Sequence, residues 1–152
     1  MTGKYHGRKP LVLCLGEVLW DILPGGRMLG GAPANVAWHA VQLGAETHLA
    51  SAVGRDDPGK EILARLRGMG VGVSAVAEVE GWPTGTVEAR IGANGDAGYV
   101  IHEKVAWDFI PCSPILLDVA RRADAVYFGS LACRSTGSRQ TIFTALAAAR
   151  PE

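Results

Sequence analysis

The 152-residue chain carries 15 Lys and Arg against 15 Asp and Glu, so its formal net charge is zero. That balance argues against a general nucleic-acid binder and against a protein held to an acidic membrane by charge. A hydrophobic fraction of 48% with 20% charged residues describes a globular chain long enough to bury one sizeable core.

Residues 1–10 read as a flexible tail. Their basic character leads into no secretory pattern, and no apolar stretch is long enough to span a bilayer. Leu11 to Leu15 is a continuous apolar run ending at Gly16, as expected of a strand covered on both faces. Glu17 to Leu23 alternates imperfectly and predicts a short second strand, then a turn at Pro24-Gly25-Gly26. Pro33 to Leu43 predicts a helix, entered through the Gly30-Gly31 turn and ended by Gly44. Thr47 to Val53 is a second buried strand. Asp57 and Pro58 then read as the cap and first residue of another helix, with Ile62, Leu63, Leu66 and Met69 on its apolar face.

The pattern changes after Gly72. Val73 to Val79, Gly85 to Gly92 and Ala97 to His102 are short strand candidates, and Asn94-Gly95 is a strong hairpin signal. An antiparallel meander inserted in a strand–helix–strand chain suggests a lid. A helix at Pro114 to Arg122, a buried strand at Ala125 to Gly129 and a last helix capped by Ser138 complete the chain.

Cys14, Cys112 and Cys133 are odd in number and widely spaced, which fits neither a zinc site nor a disulfide framework. Reduced thiols in a cytoplasmic protein are the simplest account. His6, His39, His48 and His102 lack metal-ligand spacing, so no metal site is expected in the chain. There is no Walker loop, no G-x-G-x-x-G after the first strand and no G-x-S-x-G elbow.

What remains is a polar constellation. Asp21, just past the carboxyl end of the first strand, should share a crevice with the Gly30-Gly31 turn and with Asn35 in the next helix. One carboxylate, one carboxamide and exposed backbone N–H groups suit a polyol. A solvated acid at Asp21 and a capping role for Asn35 are the plainer alternatives. Trp82 and Trp107 beside the meander suit packing better than sugar stacking, and His102-Glu103 is either a ligand contact or a solvated hairpin end.

These residues carry a resemblance. Gly30-Gly31-Ala32-Pro33-Ala34-Asn35-Val36-Ala37, followed by Gly44 and Gly54, resembles the N-terminal signature of the ribokinase-like (phosphofructokinase B) carbohydrate kinases. Gly16-Glu17-Val18-Leu19-Trp20-Asp21, Pro83-Thr84-Gly85-Thr86 and His102-Glu103-x-x-Ala106-Trp107-Asp108 extend it, the last being similar to fructokinase-like members. The resemblance implies an α/β fold, a three-layer α/β sandwich present in part, with a small β-sheet lid formed near 17–29 and 73–103. It implies ATP-dependent phosphorylation of a sugar hydroxyl, with Mg²⁺ as the companion ion. Asp21, Gly30, Gly31 and Asn35 would hold the sugar, with Thr84, Gly85, His102 and Trp107 on the lid side. A homodimer through the lid is also implied, with no nucleic-acid or membrane partner.

Members of that family run to about twice this length. Their second signature, Asp-Thr-x-Gly-Ala-Gly-Asp, does not occur in the 152 residues. It carries the catalytic base and the anion hole, so the resemblance assigns no catalytic residue here. Residues 11–152 are therefore expected to be an N-terminal substrate-binding half, inactive alone and without the C-terminal nucleotide-binding half. The alternative is a non-catalytic sugar-binding or interaction protein derived from such a kinase.

Overall fold

The computed structural model describes residues 7–91 and 97–149. Strand β1 (Leu11–Leu15) lies inside a parallel sheet of order β5-β4-β1-β8, built with β4 (Glu46–Gly54), β5 (Gly72–Val79) and β8 (Ala125–Phe128). Successive side chains of a strand point to opposite faces, and both faces of this sheet are covered. Cys14, Leu49 and Val53 meet α1 (Ala32–Gln42) and α2 (Asp57–Gly68) in one core cluster. Leu13, Leu15, Ala50 and Ala52 form the other cluster with α3 (Pro114–Arg122) and α4 (Thr136–Ala148). The result is a three-layer α/β sandwich. Each fully buried Leu or Ile in these layers contributes about 1.5–3 kcal/mol over an exposed one.

A second sheet stands apart, with the order β3-β2-β6-β7. It contains β2 (Leu19–Leu23), β3 (Gly26–Gly30), β6 (Thr86–Ile91) and β7 (Ala97–Ile101). β2 pairs antiparallel with β3 and parallel with β6, and β6 pairs antiparallel with β7. The Asn94-Gly95 hairpin expected between β6 and β7 falls outside the described residues.

Several expectations need correction. Residues 73–79 do not belong to the small sheet, because β5 extends the parallel sheet through its register with β4. The turn expected after β2 is tighter than the sequence implies, and a further strand, β3, begins at Gly26. Helix α2 is capped by Asp56, whose carboxylate accepts from the Gly59 N–H at 2.8 Å. Helix α4 starts at Thr136, before Ser138. Ser138 is instead a buried joint, donating to the Trp107 carbonyl and accepting from the Ile110 N–H. The tail is tied down at Arg8, whose guanidinium grips both oxygens of Asp124 at 2.6 and 2.7 Å. No helix among the described residues is long and apolar enough to cross a membrane.

Candidate functional site

The helix start at α1 depends on its approach. Gly31 holds φ +103°, and a Cβ there would lie 2.5 Å from the Glu17 carbonyl oxygen. Only glycine satisfies both demands. Directly below, the Glu17 carboxylate is buried and accepts from the Ala32 N–H at 3.2 Å. Burial pushes its pKa up, offset in part by neighbouring backbone N–H groups. Pro33 lies in the first turn, and the Asn35 N–H is already bonded to the Gly31 carbonyl at 3.0 Å.

This arrangement leaves the Asn35 side chain exposed at the mouth of a cavity of about 310 Å³. Asp21 lines the same cavity, together with Leu23, Met28, Leu29, Val87 and Tyr99. Asp21 reaches it because β2 pairs Asp21 with Met28 on one side and with Val87 on the other. Partial burial raises the Asp21 pKa above its ordinary value. Gly30 backs the carboxylate so closely that no side chain fits between them.

The remaining candidates do not join this cavity. Thr84 is buried, with its N–H and hydroxyl donating to Asp56 at 2.9 and 2.5 Å and its hydroxyl oxygen accepting from the Gly54 N–H. Gly85 accepts the Trp20 N–H and gives Trp107 room, since a Cβ there would sit 2.3 Å from the indole nitrogen. Trp107 is fully buried under the Arg134 guanidinium, 4.0 Å from its ring centroid. Trp82 stacks on Phe109 at 4.1 Å, which is packing. His102 pairs with Glu88 at 3.1 Å, and its carbonyl accepts from Arg134, which also grips Asp108. Thr84, Gly85, Trp107 and Arg134 thus brace the joint between the two sheets. Tyr99, Val87, Met28 and Leu23 also line the cavity, and nothing in the sequence singles them out. Their strand alternation was visible, but not the pairing that sets them beside Asp21.

ATP phosphates do not fit the residues present at this corner. At the helix end that would greet an anion, the Ala32 N–H is bonded to Glu17 and Pro33 offers no N–H. Nor do the described residues hold a cluster of three His, Cys, Asp or Glu side chains suited to a metal ion.

A family model described as pfkB family carbohydrate kinase matches residues 26–152. A putative sugar kinase, PH1459, from Pyrococcus horikoshii is 30% identical over 113 residues, covering 74% of this chain and 36% of that protein. Fructokinase-1 of Oryza sativa subsp. japonica is 29% identical over 151 residues, covering 88% of this chain and 47% of that protein. The crystal structure of PH1459 superposes with a TM-score of 0.81 at 28% identity, covering 90% of this chain and 48% of that one. The same Pyrococcus protein has also been solved in complex with ATP. The chain spans about half the length of the fructokinase and of the solved Pyrococcus protein that it matches. With its sandwich, its small separate sheet and a family match over most of its length, the chain belongs to the pfkB family of carbohydrate kinases.

Proposed function

We propose that the chain is the sugar-binding half of an ATP-dependent, fructokinase-like carbohydrate kinase, and that it does not complete phosphoryl transfer by itself. The observation that carries this reading is the meeting of Asp21 and Asn35 at one cavity whose other walls are apolar. The Asp21 carboxylate accepts from paired sugar hydroxyls, and the Asn35 carboxamide both donates and accepts. Tyr99 and Val87 offer surfaces to the C–H face of the ring. The sugar is thereby oriented, which is the larger part of what an acceptor site supplies to phosphoryl transfer.

ATP with Mg²⁺ would supply the phosphoryl group, held by residues beyond those of this corner. The open edges of the small sheet, β3 and β7, leave backbone groups for a second copy, in keeping with a homodimer through the lid.

The test is calorimetric titration with fructose, together with a coupled ADP-release assay. Wild-type chain should bind fructose, Asp21→Ala and Asn35→Ala should lose that binding, and the chain alone should release no ADP. Turnover restored by adding the C-terminal half of a family member as a separate polypeptide supports the kinase reading. Binding without any restored turnover supports a non-catalytic sugar-binding protein. Fructose affinity unchanged in both variants removes the site assignment.

A further inference from the structure

A second cavity, also about 310 Å³, opens where β3 faces α1 and α2. Its wall carries the Arg27 and Arg65 guanidiniums, the exposed Trp38 ring, Met28 and Met69, and no carboxylate among the described residues. It touches the Asp21 cavity along Met28, Leu29 and Asn35, yet Asp21 is not part of it.

The two guanidiniums are held in place. The Trp20 ring is fully buried and anchored by its indole N–H, which donates to the Pro58 carbonyl at 3.1 Å. Arg27 and Arg65 lie 4.6 and 4.8 Å from that ring's centroid, within cation–π range. Both also pair with a single carboxylate, Glu61, with Arg65 at 2.8 Å. Two cations share one anion, so the cluster keeps one uncompensated positive charge. A guanidinium fork held by packing recognises a carboxylate or phosphate with little further ordering. Beside it, Trp38 and the two methionines form an adaptable apolar surface suited to a planar body.

We propose that this cavity is a binding site for a small organic anion with a planar apolar body, an aryl or heterocyclic carboxylate or phosphate ester. The anionic group takes the N–H donors of Arg27 and Arg65 that Glu61 leaves unused, on the cavity side of that ion pair, and the planar body lies against Trp38. The site adjoins the sugar cavity through Met28, Leu29 and Asn35, and its arginines favour an anion where Asp21 disfavours one. The inference does not depend on sugar binding next door.

Phenyl phosphate is the probe, titrated into the full chain by calorimetry, with the indole N–H resonance of Trp38 followed by NMR. Saturable binding is expected, shifting the Trp38 resonance and weakened about tenfold or more in Arg65→Gln and in Trp38→Ala. Inorganic phosphate should bind about tenfold more weakly than phenyl phosphate, because it lacks the planar body. Asp21→Asn should not weaken phenyl phosphate binding, because it removes a neighbouring negative charge and no contact, with circular dichroism confirming that each variant is folded. Absence of saturable binding overturns the proposal, as does equal affinity in wild type, Arg65→Gln and Trp38→Ala. Phenyl phosphate affinity that falls in Asp21→Asn but not in Arg65→Gln overturns it too, by placing the anion in the sugar cavity.

Discussion

Gly30 and Asp21 occupy one space: a Cβ added to Gly30 would sit 2.0 Å from Asp21 Oδ2 and 2.8 Å from its Cγ. The atoms it would strike are the free end of a short side chain, which can rotate away. Gly30→Ala should therefore leave the chain folded, at a cost of about 1 kcal/mol, while turning the carboxylate out of its position. Fructose affinity should fall about tenfold or more. Calorimetry beside a thermal melt checks this, and a variant that binds normally would mean that Asp21 does not hold the sugar.

Asp21 also sets a pH dependence. Burial raises its pKa above the ordinary 3.8, so the carboxylate that the proposed sugar site uses is protonated at a higher pH than usual. Sugar affinity should fall on acidification through that raised value. For stability the sign is the reverse of a salt-bridged acid. The folded chain binds the proton more tightly than the unfolded chain, so stability declines as pH rises from 3.8 through the folded pKa. Asp21→Asn should melt higher than wild type at pH 7, with the difference vanishing below pH 3.8. Parallel melts at several pH values decide it.

Asp56 behaves in the opposite way. Burial alone would raise its pKa, but bonds from the Thr84 hydroxyl, the Thr84 N–H and the Gly59 N–H outweigh burial and lower it. It caps α2 and anchors the strand leading into β6 with one carboxylate. Asp56→Ala should cost about 2–4 kcal/mol, the sum of a lost cap and stranded donors around buried Thr84. The stabilisation is complete above pH 3.8 and is lost as pH falls through the lowered value. Urea denaturation at neutral pH and near pH 3 measures both effects. A destabilisation under 1 kcal/mol at neutral pH would contradict this double role.

Cys14 is a core residue whose thiol is pushed up to about 12 by burial. Iodoacetamide at pH 8 should label exposed Cys112 in the native chain and reach Cys14 only after denaturant is added. Mass spectrometry of the tryptic peptides reads the order. Equal labelling rates for the two would place Cys14 outside the core.

The parallel core was legible because Leu11 to Leu15 and Thr47 to Val53 are continuous apolar runs, which mark strands covered on both faces. That Asp21 and Asn35 share one cavity is legible too, since both residues follow strand and turn signals close in sequence. Partner choice between strands was not legible. Residues 73–79 alternate like a meander strand, and only their register with β4 puts them in the main sheet. Asp56 and Asp57 are both good caps, and the hydrogen bond to Thr84, far along the chain, selects Asp56. Ser138 looked like a cap for the same reason, but its hydroxyl is claimed by Trp107 and Ile110. His102 and Trp107 belong to a family-like motif, and here the Trp107 ring lies buried under Arg134 while the His102 ring pairs with Glu88.

Glu17 neutralises the end of α1 from within, and Asp21 adds a second carboxylate on the cavity side of β2. Under the sugar-kinase reading, this makes the acceptor corner a one-way gate. An uncharged polyol finds hydroxyl partners there, whereas its phosphate ester meets like charge. The phosphorylation event would thus convert a welcome guest into a repelled one, and turnover would not need a separate device to expel the product.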